Sequence, residues 1–182
     1  MMELVINFSG GKDSSATLAY LCERYPHLRK HVVFADTGWE HPDAEEWNRF
    51  IVARIAPGAA LRIVRNPRKD FFAMVRARRK FPSPAHRQCT SDLKRNPIQT
   101  WIRRNVTDPV VINCLGLRAE ESPAHAKKLK LSRDRTMSKR QAHGVELAPD
   151  PRLDREPGAR VPRRARYSAA PGVPLSQPLL LS

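Results

Sequence analysis

The strongest constraint on the fold lies in the first 25 residues, where a short apolar run leads through a glycine-rich turn into an amphipathic segment. Residues 4–8 predict a buried strand. Residues 13–25 predict a helix, because apolar side chains recur there at helical spacing and Asp13 and Ser14 suit its first turn. A strand, a tight turn and a helix in this order form the opening of a βα unit.

The turn between them has the chemistry of a phosphate-binding loop. Its glycines, Gly10 and Gly11, allow close backbone approach, and the first free N–H groups of the helix favour negative charge. Side chains add hydroxyl donors and one ammonium group, from Ser9, Ser14, Ser15 and Lys12. The pattern is not a Walker A loop, which needs glycine at position 6 and Ser or Thr at position 13. The alternative is a tight turn with no ligand.

Strand and helix signals alternate up to about residue 138. Strands are predicted at 4–8, 31–36, 61–64 and 110–115, and helices at 13–25, 41–55, 71–79 and 91–104, the last interrupted at Pro97. This order predicts right-handed βαβ units and an α/β fold with a doubly wound, mainly parallel sheet. Ligands bind such sheets beyond the carboxyl ends of the strands, so residues 9–15, 36–38 and 116–118 are expected to converge.

Composition bounds the classes of function. The 182 residues carry a formal net charge of +15, which favours anionic partners: nucleotides, nucleic acid, or both. A basic surface without a dedicated nucleic-acid site is the alternative. We expect no membrane association, because no apolar run approaches the roughly 18 residues of a membrane span. Three scattered cysteines and the lack of a signal-like N-terminus predict a reducing, cytoplasmic location.

The composition changes after residue 138. Residues 145–182 hold seven prolines and one aromatic residue, so we interpret residues 139–182 as a disordered, Pro/Arg-rich tail and residues 1–138 as one domain. A one-base shift of the reading frame at residues 142–145 would permit the chain to continue as a tryptophan-rich block. We therefore predict that the tail is translated from the wrong reading frame; a genuine basic tail is the alternative.

Four segments of the chain resemble the phosphoadenylyl-sulfate (PAPS) reductase-like family of the adenine nucleotide alpha-hydrolase superfamily, which is common in phages and bacterial accessory genes. The SGGKDS turn resembles the family's SGGxDS pyrophosphate loop. Residues 34–42 (FADTGWEHP), 89–97 (CTSDLKRNP) and 116–122 (GLRAEES) resemble three further blocks of the family in the same order. The resemblance implies a nucleotide-binding domain that lacks the C-terminal part of the family.

The resemblance also implies roles for individual residues. The nucleotide-binding set would be Ser9, Gly10, Gly11, Lys12, Asp13, Ser14, Ser15, Asp36, Thr37, Lys94, Gly116 and Arg118. Lys12 and Arg118 would be catalytic, because they can neutralise charge that develops on a phosphate or sulfate. Asp36 would accept from an adenine amino group or a ribose hydroxyl; a helix N-cap is its alternative role. Glu120 and Glu121 would orient Arg118 or hold Mg²⁺, or simply begin a helix.

The number and positions of the cysteines limit which reactions of the family this chain can be expected to catalyse. Reductases of the family carry a nucleophilic cysteine near the C-terminus, whereas here no cysteine follows Cys114. Cys89 is the remaining candidate thiol, with a buried structural role as its alternative. Three cysteines, Cys22 among them, cannot supply the four thiolates of an iron–sulfur cluster, so none is expected.

The expected ligand is therefore ATP or PAPS, with Mg²⁺ if ATP is used. The expected reaction is sulfonucleotide reduction or cleavage between the alpha and beta phosphates, which forms an adenylate. Two other functions stay open. One is a sulfur-transfer component that acts on nucleic acid, by phosphorothioation or tRNA thiolation; the other is an inactive remnant that binds a nucleotide or nucleic acid. Whether the chain is an enzyme, and its oligomeric state, are left undecided by the sequence.

Overall fold

The strands lie in one six-stranded sheet, described here from a computed structural model. The structure describes residues 2–83, 86–108, 110–116, 131–134 and 143–147. The chain divides into a unit of residues 1–151 and a second of residues 152–182, and all described residues belong to the first. The predicted tail beyond residue 147 therefore lies outside the described residues.

The elements follow the predicted βα order in the first 115 residues. The strands are β1 Met2–Asn7, β2 Arg29–Asp36, β3 Leu61–Arg65, β4 Val110–Leu115, β5 Leu131–Asp134 and β6 His143–Leu147. The helices are α1 Lys12–Arg24, α2 Ala44–Ile55, α3 Phe71–Arg78 and α4 Asn96–Asn105, and a π-helical segment, Thr90–Arg95, leads directly into α4.

The strand order across the sheet is β3-β2-β1-β4-β6-β5, and every pairing is parallel except β5 with β6. The chain runs outward from β1 to β2 and β3 on one side and then returns to place β4 on the other side of β1. The switch point therefore lies between β1 and β4, where Asn7 is opposite Leu115. The predicted doubly wound, mainly parallel α/β fold is confirmed.

Helices pack on both faces of the sheet over strands β1 to β4. One face packs against α1 and α2, with buried residues Leu4, Ile6, Val32, Phe34, Leu18, Leu21, Ile51 and Val52. The opposite face packs against α4, with buried residues Val5, Val33, Val64, Val111, Ile98 and Ile102. Successive residues of β1 and β2 alternate between these two lists, as the period of two in a strand requires. A third cluster joins α3 to the π-helical segment through Phe71, Met74 and Leu93.

Apart from shifts of one or two residues at the ends of elements, the structure differs from the sequence-based prediction at three places. Helix α2 begins at Ala44 rather than at residue 41, because His41 and Pro42 belong to a turn in which the His41 carbonyl accepts from the Ala44 N–H. The helix predicted at 91–104 starts as a π-helical segment, and the change to α-helix at Asn96 coincides with the expected interruption at Pro97, which stands in the first turn of α4.

The third difference is at the end of the sheet, where β5 and β6 were not predicted. Strand β6 pairs with β4 and begins after residue 138, so one strand of the sheet lies in the segment interpreted as a tail. Strands of four and five residues are too short to give a clear alternation in sequence. The boundary at residue 138 otherwise stays a prediction.

Candidate functional site

The turn between β1 and α1 has the geometry that an anion-binding loop requires. Gly10 has a φ of +79°, in the left-handed region, and Gly11 is the N-cap residue of α1. A glycine N-cap has no side chain to accept from the first turn of the helix, and the Ser15 N–H is the donor to the Gly11 carbonyl, at 3.0 Å. The helix N-terminus therefore presents backbone donors at the carboxyl edge of the sheet.

The hydroxyl groups of the turn bond within it. Ser14 and Ser15 both donate to the Gly11 carbonyl, at 2.9 and 3.0 Å. The Ser14 hydroxyl oxygen accepts from the Ser9 N–H and lies 3.1 Å from the Ser9 hydroxyl. This network fixes the turn in one shape before any ligand binds. Ser14 and Ser15 are buried, whereas Ser9, Gly11 and Lys12 are exposed and face solvent.

A buried amide packs on the turn from helix α2. A Cβ atom added to Gly10 would stand 2.0 Å from the Asn48 Oδ1. The Asn48 side chain is only 2% exposed, and its Nδ2 has no hydrogen-bond partner among the described residues. The turn is thus held between β1 and α2 with no space for a side chain at position 10.

The end of β4 lies against the same helix terminus. A Cβ atom at Gly116 would come within 3.0 Å of the Thr17 hydroxyl and 3.1 Å of the Asp13 carbonyl oxygen. Next to it, the Asn7 amide donates to the Asn113 side-chain oxygen at 2.6 Å and to the Cys114 carbonyl at 2.8 Å. These contacts confirm that the ends of β1 and β4 meet beside the glycine turn.

Asp36 ends β2 and organises the neighbouring turn. Its Oδ1 accepts from the Gly38 N–H at 2.7 Å, and its Oδ2 accepts from the Arg65 guanidinium, with the closest nitrogen at 2.6 Å. Asp36 is therefore not a helix N-cap; Asp43 precedes α2. Thr37 is buried and donates to Glu40 at 2.9 Å, so its hydroxyl is a structural donor in this state.

A cavity with basic side chains lies beside the end of β3, the strand that carries the Asp36 partner Arg65. This cavity of about 570 Å³ lies between the end of β3 and α4, and its lining includes Arg65, Arg68, Trp101 and Arg104 but no carboxylate. This edge of the sheet is therefore electropositive beyond the Asp36–Arg65 pair, which suits an anionic ligand.

Lys94 lies on the π-helical segment, which packs against β2 and places its side chain in an exposed position. The segment is anchored through Asp92, whose Oδ2 lies 2.6 Å from the Lys69 ammonium group. The hydrogen bond from Lys69 holds the pKa of Asp92 below its usual value, with further contributions from Ser91 and Gln88.

Replacing Asp92 by Asn should destabilise the protein at neutral pH and not at acidic pH. Because the folded-state pKa of Asp92 is lowered, its contribution is present above the unfolded pKa of about 3.9 and disappears as the pH falls through the folded value. We expect a loss of about 1–2 kcal/mol at pH 7 in urea unfolding, with the difference from wild type closing toward pH 3.

Asp43→Asn is the matched control, because the Asp43 side chain is exposed and only 3.6 Å from another exposed group, His41. Its effect should stay within about 0.5 kcal/mol at both pH values. A loss for Asp92→Asn that is the same at pH 3 and pH 7 would show that the carboxylate charge does not anchor the segment.

The three thiols occupy different environments. Burial raises the pKa of Cys114 to about 12, and burial also raises the pKa of Cys22, partly offset by Lys30. Cys89 is half-buried and packs against the cluster around Phe71. Since the thiolate is the reactive form, Cys114 is protected from chemistry in the folded protein.

The structure brings together the glycine turn, Gly116 and, one strand away, Asp36 with Thr37. Arg118, Glu120 and Glu121 lie outside the described residues, so their position is not part of this geometry. Three further residues belong to the site although the sequence did not single them out: Asn48, Asn113 and Arg65. For Asn113 alone a sequence signal existed that could have identified it, a polar residue within the apolar strand at residues 110–115.

The described residues contain no group of three or more His, Cys, Asp or Glu side chains that could hold a metal ion. None of their helices combines the length and the apolar character that a membrane span requires.

Comparison with known proteins gives one family. The sequence model described as phosphoadenosine phosphosulfate reductase domain matches residues 3–162. Among solved structures, PAPS reductase from Candida auris, in its phosphate complex, aligns with 15% identity and a TM-score of 0.49. The alignment covers 81% of this chain and 64% of that one, so the chain spans less than two thirds of that protein's length. No curated protein matches the sequence.

Proposed function

The chain belongs to the phosphoadenosine phosphosulfate reductase domain family, and on this basis we propose that its β1–α1 turn binds the phosphates of an adenine nucleotide, PAPS or ATP. The observation that carries the proposal is the Gly10–Gly11 turn at the N-terminus of α1. No side chain of the N-cap residue accepts from the first backbone donors of the helix, and the turn is fixed by its internal hydroxyl network. Phosphate groups are the anions that such a terminus favours.

In this proposal, Lys12 and Arg118 supply the positive charge that neutralises the bound phosphates. Lys12 is exposed at the start of α1, within reach of an anion bound at the turn. Arg118 follows Gly116 by two residues, and Gly116 contacts the first turn of α1. Positive groups fixed at this position would stabilise negative charge that develops on the leaving phosphate or sulfate oxygen. Lys94, on the π-helical segment, would add a further positive charge.

Asp36 can still serve as an acceptor for the nucleoside. A carboxylate has about four lone-pair sites, and Gly38 and Arg65 occupy only part of them. We therefore propose that Asp36 accepts from a ribose hydroxyl or the adenine amino group while Arg65 holds the carboxylate in place. Gly116 and the serines of the turn complete the proposed site.

The proposed reaction is cleavage between the alpha and beta phosphates, or reduction of the sulfonucleotide to sulfite and the nucleotide, with an external dithiol as the two-electron donor. Cys114 is buried and protonated, and Cys89 packs in a core cluster, which favours a structural role for both thiols. If ATP is the ligand, Mg²⁺ would be held mainly by its phosphate oxygens and would screen their charge. Incubation of the full chain with PAPS and dithiothreitol, and separately with ATP, followed by assays for sulfite and pyrophosphate, distinguishes the two reactions. Release of neither product would argue against both reactions and favour a domain that binds the nucleotide without turnover.

Replacing Lys12 by Ala should weaken nucleotide binding about tenfold, because a hydrogen bond to a charged group contributes about 1.5–3 kcal/mol. The measurement is a calorimetric titration with PAPS and with ATP. Arg24→Ala is the matched control, since Arg24 is an exposed cation at the opposite end of the same helix. Equal affinities for the two variants would argue against binding at the glycine turn.

A further inference from the structure

Three exposed aromatic side chains lie together at the carboxyl edge of the sheet. Trp39, Phe72 and Phe81 are 57%, 44% and 64% exposed, and all three are in ring contact with one another or with buried Phe71. We call these four residues the aromatic platform. Large apolar side chains grouped in this way on a surface mark a site of interaction.

The rings of the platform are held in place from below. The Trp39 indole is stacked on the Phe71 ring, with 4.2 Å between centroids and 27° between planes. Phe71 itself is buried, and its N–H donates to the Thr37 carbonyl at 2.8 Å, which ties the platform to the turn after β2. The indole is supported by Phe71 and still remains 57% exposed, an arrangement that leaves ring surface available for a flat ring to stack on it.

The chain that follows Asp70 is strongly basic, although two carboxylates, Glu40 and Asp70, are sequence neighbours of Trp39 and Phe71. Residues 71–95 contain seven Lys or Arg and one acidic residue, Asp92, whose carboxylate is paired with Lys69. A cavity of about 250 Å³ beside the platform is lined by Arg78, Lys80, Phe81 and His86. An aromatic ring and two permanent cations thus line one concave surface, with no carboxylate among its lining residues.

From these observations we propose that the aromatic platform binds single-stranded nucleic acid. Bases stack on the open faces of Trp39 and Phe81, while Arg78 and Lys80 contact the phosphates that connect the bases. Stacking platforms in basic grooves are the general means by which proteins hold single strands without reading their sequence. A second copy of the chain fits the surface less well, because it would bring the same cations together. The proposal does not depend on nucleotide binding at the β1–α1 turn.

The test measures the binding of a fluorescein-labelled oligodeoxythymidylate, about a dozen nucleotides long, to the full chain. Fluorescence anisotropy is the readout, and the titration is repeated at several salt concentrations. We expect Trp39→Ala and Phe81→Ala each to weaken binding about tenfold with the salt dependence unchanged, since stacking is lost and charge is kept. Trp39→Tyr should retain most of the affinity. Arg78→Ala/Lys80→Ala should reduce the slope of log K against log salt by about 0.7 for each lost contact.

Arg24→Ala/Arg54→Ala is the charge-matched control, because both arginines are exposed and lie on α1 and α2 away from the platform. Three outcomes would overturn the proposal. The first is absence of binding by the folded wild-type chain. The second is an equal loss for the control pair and for Arg78→Ala/Lys80→Ala. The third is a change of oligomeric state in Trp39→Ala without any change in oligonucleotide affinity, which would identify the platform as a contact between copies.

Discussion

Gly10→Ala is expected to lower the affinity of the chain for PAPS or ATP about 100-fold and to destabilise the fold. An alanine at a φ of +79° is strained by about 1–2 kcal/mol, and its Cβ would stand 2.0 Å from the Asn48 Oδ1. The turn or helix α2 must therefore move, and the backbone donors move with it. Losing two charge-assisted hydrogen bonds accounts for an effect of this size. Calorimetric titration measures the affinity, and urea unfolding measures the stability.

Gly58→Ala is the control that separates the backbone strain of an alanine at positive φ from the steric clash of its Cβ atom. Gly58 has a φ of +87°, and nothing lies within 4 Å of its added Cβ, so this variant keeps the strain without the contact. It should lose about 1 kcal/mol of stability and bind the nucleotide as wild type does. Asn48→Ala in the Gly10→Ala background should recover part of the affinity by making space. An unchanged affinity in Gly10→Ala alone would mean that the turn does not bind the nucleotide.

Phe71→Ala is expected to destabilise the protein by about 3–5 kcal/mol, the range for removing a buried aromatic ring. Phe71 is 6% exposed, packs with Met74 and Leu93, and supports the Trp39 indole at 4.2 Å. Its loss removes the contact that joins α3, the π-helical segment and the turn after β2. Urea unfolding gives the free energy, and the total tryptophan fluorescence, to which Trp39 contributes, should shift as the support of Trp39 is lost.

Phe72→Ala is the matched control, since Phe72 is the next residue of the same helix and is 44% exposed. It should lose about 1 kcal/mol or less. Similar losses for the two variants would show that Phe71 is not the buried centre of this cluster.

The sequence was most informative where local signals agreed with one another. The apolar run at residues 4–8, the two glycines and the helical spacing after Asp13 each indicate the same βα unit, so β1, the turn and α1 could be predicted within one or two residues. The convergence of Gly116 with the turn followed from the rule that parallel strands end at one edge.

The features that could not be predicted from the sequence depend on tertiary contacts. Asn48 looks like an ordinary polar helix residue, and only its place above Gly10 makes it part of the site. The partner of Asp36 is Arg65, 29 residues away on the neighbouring strand, a pairing that depends on the register of β2 with β3. The π-helical segment depends on the packing of α3 and Asp92 rather than on a sequence pattern.

The most direct test of the central claim is a calorimetric titration of the full wild-type chain with PAPS and with ATP, each without added reductant. Binding of at least one of the two, one nucleotide per chain, with an affinity that Lys12→Ala and Gly10→Ala reduce and Arg24→Ala does not, is the result that we predict. Failure of the folded wild-type chain to bind either nucleotide would contradict the claim that the β1–α1 turn is a nucleotide site.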